Sequence, residues 1–134
     1  MILNLSDLSS EPLHGQISRQ IRAKILAGDL CEGTDLPSIR ALAKEQQVSV
    51  ITVQRSYEDL EREGLIQARR GKGFFVASLS SEQKETMAMA RLVETMRPLI
   101  EEALAEGLNP EQIAAQCQRL IRSLTKATKG GVLS

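Results

Sequence analysis

Residues 36–64 read LPSIRALAKEQQVSVITVQRSYEDLEREG, and this stretch decides the fold. Leu36-Pro37-Ser38 opens a helix, because the proline restrains the entry and the serine hydroxyl can cap the free amides of the first turn. Ile39, Leu42 and Ala43 form its inward face. Gln46-Gln47-Val48-Ser49 interrupts it after about two turns. Ser49 then caps a further helix through Ile51 to about Glu63, with Val53, Ser56, Tyr57 and Leu60 on one side and Gly64 as its stop.

On the amino-terminal side, after an irregular start, Leu13, Ile17, Ile21 and Ile25 recur every four residues, with Leu26 beside the last. This is a helix stripe that ends at Gly28, with Gly33 in a short loop beyond. On the carboxyl side, Leu65 to Ala68 and Phe74 to Val76 read as short strands joined by Arg69-Arg70-Gly71-Lys72-Gly73, a β-hairpin with a basic tip. A polar linker, 78–85, follows. Met89, Leu92, Val93, Met96, Leu99, Ile100, Ala103 and Leu104 then repeat at helical spacing as far as Gly107, and Pro98 should kink that helix or start a new one. Asn109-Pro110-Glu111-Gln112 is a fresh start with Asn109 as cap and Gln112 as its capping-box partner, leading into the stripe Ile113, Cys117, Leu120, Ile121 and Leu124. Residues 129–134 read as a frayed tail.

The 134 residues suit one small domain with an appendage, and 42% apolar with 25% charged side chains is the balance of a globular chain. No apolar run is long enough to cross a bilayer and no leader precedes Pro12, so a cytoplasmic protein with no membrane partner is expected. Cys31 and Cys117 form no metal-binding spacing and read as buried free thiols. No cofactor motif, P-loop or GxSxG is present, and Ser, Cys and His make no catalytic constellation; an enzyme is not expected. Seventeen basic and seventeen acidic side chains cancel, so any affinity for nucleic acid must come from local clusters. The densest is Arg69, Arg70 and Lys72, with no acid between Gln67 and Ser81. Three aromatic residues, Tyr57, Phe74 and Phe75, are too few for a base-stacking platform.

Helix, short helix, tight turn, helix and hairpin is the order of a winged helix-turn-helix, giving a mainly α fold whose last two helices form a carboxyl-terminal segment. Such a fold places the third helix in the major groove, amino end first, while the hairpin reaches phosphates or a neighbouring groove. The first turn of that helix suits base edges. Arg55 could donate to guanine, Gln54 pair with adenine, and Ile51 or the Thr52 methyl touch a thymine methyl, whereas Glu58 and Glu61 lie farther along.

From Glu11 to Val76 the sequence resembles the GntR family of bacterial transcription regulators. The resemblance is carried by Pro12-Leu13, Gln16-Ile17, Ile25, Gly28, Leu30, Gly33, Leu36 to Arg40, Leu42-Ala43 and Val48-Ser49. It continues through Thr52-Val53, Tyr57, Leu60-Glu61, Glu63 to Ile66, and Gly71 and Gly73 before Phe75-Val76. It implies a dimeric repressor of a two-fold symmetric double-stranded operator, contacted by Ser38, Arg40, Ser49, Ile51, Thr52, Gln54, Arg55, Arg69, Arg70, Gly71 and Lys72. His14 stands where the family usually has tyrosine, and Val50 where it often has arginine. The segment after Ala77 is too short for the large effector-binding domains of the family and is similar to the short YtrA subfamily, whose tail mainly makes the dimer. Relatives of that kind commonly repress transporter operons. The boundaries expected are 1–77 for DNA binding, 78–85 for the linker and 86–128 for helical dimerisation, with an unidentified small-molecule effector as a further partner.

Other readings stand beside these. Arg40, Lys44 and Arg55 could solvate helix surfaces, and the basic tip could protect a sheet edge. The methionines could line an adaptable groove, although helical spacing favours packing. His14 has no neighbours suited to a shared metal ion. The alternative functions are a winged-helix module for a protein partner and a fragment of a PLP-dependent regulator. The dimer face is expected at Met89, Leu92, Met96, Leu99, Leu120, Ile121 and Leu124.

Overall fold

Ile17, Ile21 and Ile25 are completely buried, and this one stripe orients α1, Leu13–Leu26. It packs on α3, Val50–Arg62, through Val53, Tyr57 and Leu60, and α2, Ile39–Gln46, closes the core with Leu42 and Ala43. The computed structural model describes residues 1–131, with side chains through 126. The remaining elements are β1, Ile66–Arg69, β2, Gly73–Val76, α4, Ser81–Ala105, and α5, Pro110–Gly131. The fold is mainly α, a winged helix-turn-helix followed by a two-helix segment, as the sequence predicts.

The chain divides into two units, Met1–Ala88 and Met89–Ser134. In the first, small polar side chains manage the crossing of α1 and α3. Ser56 donates to the His14 carbonyl at 2.7 Å and Ser18 to the same oxygen at 2.9 Å, so neither hydroxyl is buried without a partner. Arg22 of α1 grips Glu63 with two 2.7 Å bonds, fixing the end of α3. The amino-terminal segment is less irregular than its sequence suggests. Leu3 enters the core, Gln20 trades two bonds with the Asn4 backbone, and buried Gln16 bridges Ser6 and Glu11.

β1 and β2 are antiparallel, Ile66 facing Val76 and Arg69 facing Gly73. A third piece, unread in the sequence, lies along β2: Leu36 N–H donates to the Phe74 carbonyl, and Val76 N–H to Thr34. Asp35 pairs there with Phe75 as an isolated bridge.

Four expectations need correction. Residues 81–85, read as linker, already belong to α4, because Ser80 and Gln83 form a reciprocal capping box of 3.0 and 2.8 Å that starts the helix early. Of the two expectations for Pro98, the start of a new helix is overturned: α4 is one helix with the proline inside it. Cys31, taken as buried, is exposed, whereas Cys117 is half-buried. Residues 129–131 of the expected frayed tail continue α5, and 132–134 lie outside the described residues.

In the second unit, Asn109 and Gln112 exchange two 2.9 Å bonds as the capping box predicts, and α5 starts at Pro110. Gly107, at φ 98°, ends the preceding helix. Among the described residues neither α4 nor α5 fully buries a single side chain. Met89, Leu92, Leu99, Leu120, Ile121 and Leu124 are each more than half exposed, and Met96 is half-buried.

Candidate nucleic-acid interface

Two helix amino termini are prepared in the same way. Ser38 Oγ accepts from Ala41 N–H at 3.0 Å, and Ser49 Oγ accepts from Thr52 N–H at 3.1 Å. Neither first turn carries an acid, so both keep the positive end of the helix dipole uncompensated. Arg40 lies exposed in the first turn of α2, and Ile51, Gln54 and Arg55 lie exposed along α3. Charge is polarised along α3. Its first half holds Arg55 without an acid, while Glu58, Asp59 and Glu61 crowd the second half against Arg62 alone. An approach to phosphates is therefore favourable only with the amino end leading.

The tight turn between α2 and α3 is made by Gln47 at φ 57°, the only positive φ outside glycine among the described residues. Tyr57 holds the assembly together. Completely buried, it donates from its hydroxyl to the Pro37 carbonyl at 2.7 Å, and its ring meets Phe74 edge-on at 5.2 Å. Middle of α3, entry of α2 and strand β2 of the hairpin are thus tied to one side chain. Burial is the main cause that pushes its phenol well above the ordinary value, with Glu45 adding to the rise.

At the wing tip the three expected cations separate into two kinds. Arg69 stacks on the Phe75 ring, 4.0 Å from its centroid, and reaches Asp35 at 3.4 Å, so it is held against the sheet. Arg70 and Lys72 are exposed, and their side chains make no hydrogen bond or ion pair among the described residues. Gly71 and Gly73, at φ 74° and 80°, make the reversal. Gln54 leans toward Glu58 at 3.4 Å, and the Thr52 hydroxyl lies 2.8 Å from that of Ser49. Arg40 and Arg55, like Arg70 and Lys72, have no such partner among the described residues. The holding roles of Asp35, Phe75 and Tyr57 went unread in the sequence, since partners 20 and 34 residues apart leave no local pattern.

The described residues contain no group of His, Cys, Asp and Glu able to hold a metal ion, and no helix among them is long and apolar enough to cross a membrane. Residues 13–76 match the family described as bacterial regulatory proteins, gntR family. A solved GntR family transcriptional regulator from Listeria monocytogenes is 32% identical, with a TM-score of 0.68 over 86% of this chain and 98% of that one. The chain belongs to the GntR family. Two Bacillus subtilis proteins show how far the likeness of this GntR chain extends. The HTH-type transcriptional regulator YhcF is 28% identical over 92% of this chain and 95% of its own length. The HTH-type transcriptional repressor YtrA is 29% identical over 97% of each. The GntR chain is a DNA-binding transcriptional regulator, and that membership, not the missing motifs, places it outside the enzymes.

Proposed function

We propose that this GntR regulator is a cytoplasmic repressor of the YtrA type that binds a two-fold symmetric operator as a homodimer. The observation that carries the reading is the state of α4 and α5, two helices whose apolar stripes leave every described side chain at least partly exposed in one copy. A second copy supplies the missing surface. Val93, Met96 and Ile100, with Arg97 and Glu101, line an open groove suited to a partner helix.

Residues 1–77 bind DNA in this reading, 78–80 lead into α4, and 86–128 dimerise. Ser38, Arg40, Ser49, Ile51, Thr52, Gln54 and Arg55 face the major groove, and Arg70, Gly71 and Lys72 form the wing contact, with Arg69 held behind them on the Phe75 ring. The similarity to a protein named as a repressor over nearly the whole of both chains supports repression and the subfamily. A transporter operon as target, and a small-molecule effector, follow from the subfamily resemblance alone.

Footprinting on duplexes selected from a random pool tests the reading. The expected result is two protected half-sites on one face, about one helical turn apart, filled by one dimer. A single protected half-site filled by a monomer overturns it. In a reporter strain, occupancy of the site should lower transcription; a rise would make the protein an activator.

A further inference from the structure

We infer that Val50 and Ile51 form an apolar reading tip that specifies the C5-methyl group of thymine in each operator half-site. The inference rests on the DNA-binding reading and adds what the site selects. Ile51 is 75% exposed and Val50 44%. Among the described residues of the first unit, the only other large exposed hydrophobics are Ile2 and Leu8, on the amino-terminal segment. Two adjacent branched aliphatic side chains, one mostly and one nearly half in water, stand on the first turn of the helix that leads into the groove.

The polar groups of that turn are already engaged. Ser49 Oγ accepts from the Thr52 amide and lies 2.8 Å from the Thr52 hydroxyl, so the two hydroxyls are held against each other at the start of the helix. Between these two hydroxyls the turn presents the hydrocarbon of Val50 and Ile51. In the major groove the apolar group on a base edge is the C5-methyl of thymine. Against it Ile51 and Val50 bury hydrocarbon on both sides. Against the amino group of cytosine or adenine they strip water from a donor and give nothing back. Arg55, one turn on, remains for hydrogen-bonded readout of a neighbouring pair.

Deoxyuridine differs from thymidine by this methyl alone, which makes the test direct. Sites are selected from random duplexes with the full chain, and the best site is remade with deoxyuridine at its half-site thymines, one position at a time. At one position in each half-site the substitution should weaken binding about fourfold, and about 15-fold when both half-sites are changed. Ile51→Ala, at an exposed position and therefore folded, should bind the thymine and uracil duplexes alike; Val50→Ala should narrow the difference. 5-Methylcytosine paired with guanine at that position should bind better than cytosine. Equal affinity for thymine and uracil at every half-site position overturns the inference, as does an Ile51→Ala, Val50→Ala double variant that keeps the full preference. Recovery of no preferred duplex would instead overturn the operator reading beneath it.

Discussion

Gln47 occupies a left-handed backbone conformation that costs a side-chain-bearing residue about 1–2 kcal/mol, of which glycine would return about half after its own entropy loss. Gln47→Gly should therefore raise stability by about 0.5–1 kcal/mol in urea unfolding, and Gln47→Val should lower it, since a branched Cβ fits that region worst. Tyr57 makes stability depend on alkaline pH. Its folded phenol titrates above the ordinary value near 10, so the unfolded chain loses its proton first. The contribution is complete below pH 10 and falls as pH rises beyond it. Tyr57→Phe should flatten that decline and cost about 1–3 kcal/mol at neutral pH, by leaving the Pro37 carbonyl without its donor. At the wing, Arg70→Ala should weaken binding to all duplexes and lower the slope of log affinity against log salt by up to about 2 per dimer. Arg69→Ala should instead cost about 0.5–1 kcal/mol of stability through the lost stacking on Phe75. Equal salt slopes for the two variants would show that both arginines meet phosphate.

Among the elements, those written in local signals were legible in the sequence. The four-residue spacing of Ile17, Ile21 and Ile25 defined α1, Ser38 and Ser49 announced their helices, and Asn109 with Gln112 marked the start of α5. Ser80-Ser81-Glu82-Gln83 carries the same capping signal, but its polarity was read as a linker; what decides is the three-residue spacing of serine and glutamine. The bridge of Asp35 to Phe75 escaped because it depends on a hairpin 40 residues away. For the candidate site the sequence offered residues and not their partners: it named Arg69, Arg70 and Lys72 together, and the fold separates the first from the others. Ser80→Ala should cost about 1 kcal/mol and fray the first turn of α4, seen as faster amide exchange at 81–84. Unchanged exchange there would mean that the packing of Leu79 and Met87 on the core holds the turn unaided.

For the whole molecule the two units behave differently. Residues 1–88 contain a complete core, so as a fragment they should unfold cooperatively and sediment as a monomer, while the full chain sediments as a dimer at micromolar concentration. A monomeric full chain would sink the homodimer, and a dimeric fragment would move its interface. The exposed stripes of α4 and α5 have a consequence for gene control. If ordering of this helix pair waits for a second copy, the amount of binding-competent regulator rises with the square of the synthesised chain while dimers are scarce. Halving the gene dose would then cut operator occupancy by more than half. Newly made single copies, with loosely held helices, would be the ones exposed to proteases. In that regime a twofold change in synthesis would change the dimer about fourfold, so operator occupancy would follow chain number more steeply than one to one.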